Sequence, residues 1–331
     1  MDNLLKNVLA DIKIGQENNY KNMVIFPLTT DRESTLDFLL LDESLDKNYL
    51  KITELSESGT VPELMVVNQS DHKILLLDGE ELIGAKQNRV LNVTILLAPN
   101  SEIKIPVSCV EAGRWSYSSR EFGSASRQMS AELRRKKSES VKFKVRETGS
   151  FTSNQGEIWE EIDLKFARCQ EPPTATRALS DLFEAKKETT EDYLQKFFPV
   201  ENQIGVAVFI DGKLAGIELL DKHEKFQKVH KKLVTSYIMD ALETVDSIQQ
   251  NKISSLEDKI LDYLTVAMNA SLELRPSVAL GQDIRLDSDR LMGAGLEFGQ
   301  QILQLSLFLQ RSFQLQNTKM CGYLSEIIRH Y

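Results

Sequence analysis

Between Leu77 and Trp115, polar side chains recur in phase with an apolar strand pattern. Leu91, Val93, Ile95 and Leu97 share one face of an extended chain, and the same face carries Arg89 and Gln87, because successive strand side chains point to opposite sides. On the returning segment Ile103, Ile105, Val107 and Cys109 are in phase with Glu111. Burying a charge without a partner is costly, so such groups are paired, hydrogen-bonded or placed where a cleft opens. In a cleft, Arg89 and Arg114 would hold phosphate or carboxylate through their forked donors, Gln87 and Asn88 would set orientation, and Trp115 would offer a stacking face. Arg120 and Arg127 lie close enough in sequence to the Trp115 end to help bind an anion. Glu111 and Glu81 are the candidate general bases and Cys109 the candidate nucleophile. A small thiol between apolar neighbours is more often inert packing, since a reactive one needs exposure and a nearby base or positive field.

Two pairings of the hairpin keep this cluster together. One sets Leu97 against Ile103, Leu91 against Cys109 and Arg89 against Glu111; a slip of two residues sets Gln87 against Glu111 and Arg89 against Cys109. The competing reading is a structural Arg-Glu bridge at a sheet edge that only fixes register. Other constellations carry less. His223 and His230 are seven residues apart on an expected helix, but two ligands make no metal site, and solvated helix residues are the plainer reading. The pairs Glu80-Glu81 and Glu160-Glu161 have the donors for a divalent cation or acid chemistry, yet surface carboxylates are common. The basic run Arg134-Arg135-Lys136-Lys137 reads as a solvated helix face. No Gly-Lys-Ser/Thr phosphate loop, Gly-x-Gly-x-x-Gly or Gly-x-Ser-x-Gly occurs, and no cofactor or metal is assigned.

The elements that must position these residues follow from periodicity. Residues 2 to 10 read as a short amphipathic helix, and strands dominate from there to about Trp115, with a tight turn at Asp78-Gly79. Asn154 and Glu157 form a capping box for a helix whose stripe is Trp159, Ile162 and Phe166, ended by Pro172-Pro173. A second helical stretch runs from Thr176 to Phe198 with a break near residues 188 to 190. Asp211-Gly212 between apolar runs predicts a hairpin that pairs Ile210 with Lys213 and puts Val208 beside Ala215. Phe226, Val229, Leu233, Tyr237, Ala241, Val245 and Ile248 trace one face of a long helix. Ser254 with Glu257 caps another helix reaching Ala270, and alternation over Leu303 to Leu309 returns to strand. The fold class is therefore α+β: an antiparallel β-rich part, sandwich- or barrel-like, with helical insertions, then a helix-rich half returning to strands. The expected organisation is a lead-in over 1–20, one α+β domain over 21–310 that is β-rich over 21–118, and a tail over 311–331.

At 331 residues, 41% hydrophobic and 27% charged, the composition supports a large core. A net charge of -9 argues against a broad nucleic-acid footprint, and no apolar run is long enough to cross a bilayer, so neither nucleic acid nor membrane is an expected partner. Three cysteines, Cys109, Cys169 and Cys321, form no even framework, which with the absence of a signal-like start gives a cytoplasmic expectation.

At LLLDGEELIGAKQNRVLN (75–92), IPVSCVEAGRW (105–115), GSASRQMS (123–130) and GVAVFIDGKLAG (205–216), the chain resembles the ADP-ribosylglycohydrolase- and rhodanese/phosphatase-associated protein domain family, over about Val24 to Leu309. That family is named for the enzymes of NAD and ADP-ribose processing that its genes accompany. The resemblance implies a single α+β unit and points to the group already singled out, Gln87, Asn88, Arg89, Cys109, Glu111, Arg114 and Trp115. It carries no catalytic assignment. The leading expectation is a sensing or accessory module that binds a nucleotide-like small molecule such as NAD or an ADP-ribose derivative. The alternatives are a hydrolase or transferase acting on such a ligand, and a non-catalytic assembly protein with a protein partner or a second copy of itself.

Overall fold

The computed structural model describes residues 2–56, 62–244 and 256–310. The chain is α+β, with three sheets whose strands pair antiparallel at every described junction but one. The largest sheet joins the first and last described strands of the chain. Its nine strands run Lys13–Ile14, Met23–Thr29, Gln203–Ile210, Lys213–Leu220, Gln301–Leu309, Leu291–Phe298, Gln282–Asp287 and Ser271–Pro276, with Asn18–Tyr20 also paired to Met23–Thr29. The unbroken apolar run at 204–210 is explained by burial on both faces. Val206 and Val208 pack with helix His223–Ala241, while Ala207 and Phe209 pack with helices Asp2–Ala10 and Leu256–Met268. Asp211 and Gly212 both adopt positive φ in the expected turn, and Ile210 pairs with Lys213. A bulge beyond it sets Val208 against Gly216 instead of Ala215.

The six-stranded sheet, which carries the candidate site, runs Phe122–Gln128, Glu80–Gly84, Arg89–Leu91, Ser101–Cys109, Glu63–Asn68 and Leu50–Glu54. The third sheet holds Ile95–Leu97, Ile74–Leu76 and Leu39–Leu40. Residues 89 to 109 are therefore not one hairpin. Leu91 pairs with Val107, but Ile95–Leu97 leaves to pair with Ile74–Leu76, and Leu97 faces Ile74, not Ile103. Polar side chains make the departure: the Asn92 amide donates to the Phe151 carbonyl at 3.0 Å, and the Thr94 hydroxyl donates to Gln304 Oε1 at 2.9 Å.

Helix Ala131–Thr148 departs most from expectation. Arg134, Arg135 and Lys137 are buried, so the basic run is not a solvated face. Arg134, Lys137, Val141 and Val145 fall on one helical side, and that side enters the protein. Lys137 Nζ donates to the Asp78 carboxylate and to the carbonyls of Leu91 at 2.7 Å and Asn92 at 3.0 Å. Arg134 meets Glu218 at 2.7 Å, and Tyr237 donates to the same carboxylate oxygen at 2.8 Å. These cations are buried because each has a carboxylate waiting.

Glu80 and Glu81 are likewise buried, not surface carboxylates, and Glu80 pairs with Lys232; of the second pair, Glu160 is exposed and Glu161 buried. His230 is buried too, edge-on to Phe226, and burial pushes its imidazole down to about 4. Asn154 caps helix Gln155–Arg168 by accepting from the Gly156 amide; Ile158, Ile162 and Phe166 form its buried stripe, with Trp159 at the margin. The expected helix over 176–198 resolves into Leu179–Ala185 and Lys187–Leu194, which part at Lys186. Val245, Ile248, Ser254, Cys321 and the 311–331 tail lie outside the described residues.

Candidate functional site

Strands Glu80–Gly84 and Arg89–Leu91 pair so that Glu81 faces Val90 and Leu82 faces Arg89. On the other side of the second strand, Cys109 faces Arg89, which is the slipped one of the two expected registers. Adjacent strand residues point to opposite faces, so this local geometry sorts the polar groups into two clusters on either side of the sheet. Leu82, Leu91 and Val107 mark one face, and Val90, Val110 and Leu179 mark the other.

On the first face Arg89 is fully buried. Its Nη1 donates to Gln87 Oε1 at 3.0 Å and to Cys109 Sγ at 2.8 Å. Its carboxylate neighbour is Glu54, at 3.7 Å, and not Glu111. That distance is long for a hydrogen bond, and Arg89 Nε and Nη2 and both Glu54 carboxylate oxygens have no hydrogen-bond partner. Burial pushes the Cys109 thiol up to about 11, against the pull of Arg89, so the thiolate that a nucleophile needs is absent near neutral pH. The Cys109 backbone is paired as if by another strand: its amide donates to Gln155 Oε1 and its carbonyl accepts from Gln155 Nε2, each at 2.8 Å.

On the opposite face Glu81 is fully buried. Arg127 Nε approaches it at 3.4 Å, with the Arg127 guanidinium over the Phe183 ring. Burial pushes the Glu81 carboxyl up to about 7, only partly countered by Arg127 and by the Asn88 side chain. The neighbouring Asn88 side chain donates to Ser180 at 3.3 Å.

The turn joining the two strands is locked to the loop that follows Cys109. Arg114 does most of this. It grips Glu111 through Nε at 2.8 Å and Nη2 at 2.7 Å, and donates to the carbonyls of Ala85 at 2.7 Å and Ser116 at 2.9 Å. Glu111 also accepts from the Asn88 amide at 3.0 Å. The Arg-Glu bridge that strand phasing anticipated therefore exists with a different arginine, and it holds backbone to backbone. The clamp leaves an aromatic face outside it: Trp115 and Tyr117 are each 49% exposed, with Lys86 Nζ 5.4 and 5.1 Å from their ring centroids. Arg89 lies beneath the same Trp115 ring at 5.9 Å, and Arg120 is exposed further along the loop.

The structure thus brings together Gln87, Arg89, Cys109 and Trp115 on one side, and Glu81, Asn88 and Arg127 on the other, with Glu111 and Arg114 between them as a clamp. Sequence reasoning missed Lys86, Tyr117, Glu54 and Gln155. Tyr117 had a signal, two residues from Trp115 and so on its side of an extended segment; Glu54 and Gln155 come from separate elements and had none.

Residues 11–308 match the ARG and Rhodanese-Phosphatase-superfamily-associated Protein domain family. The chain belongs to this family. The ARG and Rhodanese-Phosphatase-superfamily-associated Protein domain here spans both polar clusters and the clamp, beginning just after helix Asp2–Ala10 and ending inside the last strand of the large sheet. No curated protein and no solved structure matches the chain. Among the described residues no helix of the domain is long and apolar enough to cross a membrane.

Proposed function

We propose that this domain is a ligand-binding module, sensing or accessory in role, for a planar anionic molecule of nucleotide type. The observation that carries this reading is the pair of half-exposed rings, Trp115 and Tyr117, with the buried Lys86 ammonium packed between them. A base stacks on such a ring, and a phosphate is drawn to an exposed cation of the same loop, here Arg120, three residues past Tyr117. The clamp of Arg114 on Glu111 supports the reading by fixing the loop that presents the rings, so less ordering remains for the ligand to impose. NAD and ADP-ribose fit the chemistry, offering an adenine to the aromatic face and a diphosphate to the exposed arginine of the loop.

A second reading, a hydrolase or transferase on the same kind of ligand, is favoured by Glu81. A fully buried carboxyl near 7 has the proton affinity of a general acid or base. Its complete burial weighs against direct contact with substrate, as the buried Cys109 thiol weighs against a nucleophile.

Calorimetric titration with ADP-ribose, NAD and AMP, with product analysis of the same samples, separates the two. Binding without turnover, weakened about tenfold or more by Trp115→Ala, is the expected result, since an aromatic stacking platform contributes roughly 1–3 kcal/mol per base. Unchanged affinity in that variant, or no binding by the wild type, would refute the module; turnover lost in Glu81→Gln would establish the enzyme.

A further inference from the structure

At one end of the large sheet, away from the clamped loop, helix Asp2–Ala10 roofs a cavity of about 230 Å³. Leu4, Val8 and Ile12 from the helix side and Ile204, Leu219 and Ile302 from the strands give it an apolar wall. Its polar end carries Asp221, Ser34, Glu33, Arg32 and Gln301. The charges there do not balance. Arg32 is turned to Asp11, at 2.6 Å, and is neutralised by it. Lys222, the chain neighbour of Asp221, pairs with Glu224 at 4.0 Å, and its charge also favours the ionised Asp221 without contacting it as an ion pair. Asp221 itself accepts from the Ser34 hydroxyl and forms no ion pair among the described residues, and Glu33 adds a second negative charge. Burial pushes the Asp221 carboxyl up to about 6, so it is still mostly ionised at neutral pH. A half-buried carboxylate beside an apolar cavity, in no ion pair among the described residues, has the charge and the place to meet a cationic ligand.

We infer that this cavity binds a small alkylammonium ligand, with the amine on Asp221 and the hydrocarbon chain between helix Asp2–Ala10 and the end of the sheet. The apolar wall beside the Asp221 carboxylate suits the hydrocarbon chain and the charged head of a short-chain primary amine. The site is separate from the aromatic face and does not depend on its function.

The test is an amide-resolved NMR titration of the full chain with n-pentylamine and with 1-pentanol, which share a chain length and differ in charge. The amine is expected to shift amides around Leu219, Asp221 and Ile302 and to bind at least tenfold more tightly than the alcohol. Asp221→Asn should erase that preference, and Val8→Phe, which fills the cavity without touching the carboxylate, should weaken both ligands. Equal affinity for amine and alcohol, shifts confined to other regions, or full binding by the folded Val8→Phe variant would each overturn the assignment. Should Asp221→Asn fail to fold, the amine-to-alcohol ratio in the wild type and the Val8→Phe result decide the matter by themselves.

Discussion

Glu81 is a carboxyl whose protonation is set by its burial. Its carboxyl is raised from the ordinary 4.5 to about 7 by burial, so the folded protein holds this proton more tightly than the unfolded chain does. For an acid raised in this way, the unfolded state has already released its proton between those two values, and stability therefore falls as pH rises through that window. Each pH unit of the window is worth about 1.36 kcal/mol, so the whole effect is on the order of 3 kcal/mol. Glu81→Gln removes this dependence, whatever the amide itself costs in the buried position. Urea unfolding of both proteins at pH 5 and pH 8 should show the variant gaining about 2–3 kcal/mol on the wild type between the two pH values; a constant difference would mean that Glu81 is ionised throughout. The surrounding site is partly legible from sequence because strand phase is a local property: Gln87, Arg89 and Cys109 do share a face, and the slipped register holds over Arg89–Leu91, though not at Gln87 and Glu111 or beyond Leu91. Phase could not name partners. Arg89 was matched to Glu111 because they lie on neighbouring segments, whereas Glu54 comes from the far strand of the sheet, and Glu111 is taken by Arg114 three residues on.

At the scale of elements, helix Ala131–Thr148 shows why charge runs mislead. Its sequence has few apolar residues, and the plain inference is a solvated surface; its inward side nevertheless carries Arg134 and Lys137 ahead of Val141 and Val145. The carboxylates that make this burial tolerable, Asp78 and Glu218, belong to a turn and to a strand of the other half of the chain, so no local pattern announces them. Removing one partner of such a pair leaves an uncompensated buried charge and costs about 3–5 kcal/mol. Arg134→Met should lose that much in denaturant unfolding. Adding Glu218→Gln should recover part of it, because the amide carbonyl still accepts from Tyr237 without carrying a charge. If the double variant is no more stable than the single one, the packing of the arginine stem, and not its charge, holds the helix in place. The elements that were read correctly are those with signals of their own: the Asp211-Gly212 turn, the Asn154 cap and the alternation in Gln301–Leu309.

Across the whole molecule, the question is whether the β-rich part over 21–118 and the rest over 119–310 can come apart. Met23–Thr29 is hydrogen-bonded to Gln203–Ile210, so the first long strand completes a sheet made mostly by the last hundred or so described residues. One core cluster holds Met23, Leu40, Leu77 and Leu96 together with Val208, Tyr237 and Phe308. Buried polar contacts cross the same divide: Lys232 to Glu80, Arg134 to Glu218, Lys137 to Asp78 and Thr94 to Gln304. Opening either part alone would expose that shared core and strand several charges in it, so partial opening gains little over complete unfolding. Native-state hydrogen exchange should accordingly give the slowest amides of Arg89–Leu91 and of Leu291–Phe298 the same opening free energy and the same denaturant dependence. Two separate values would divide the chain into independently unfolding units, and the contacts across the divide would then be those of two docked bodies that can part without either one unfolding.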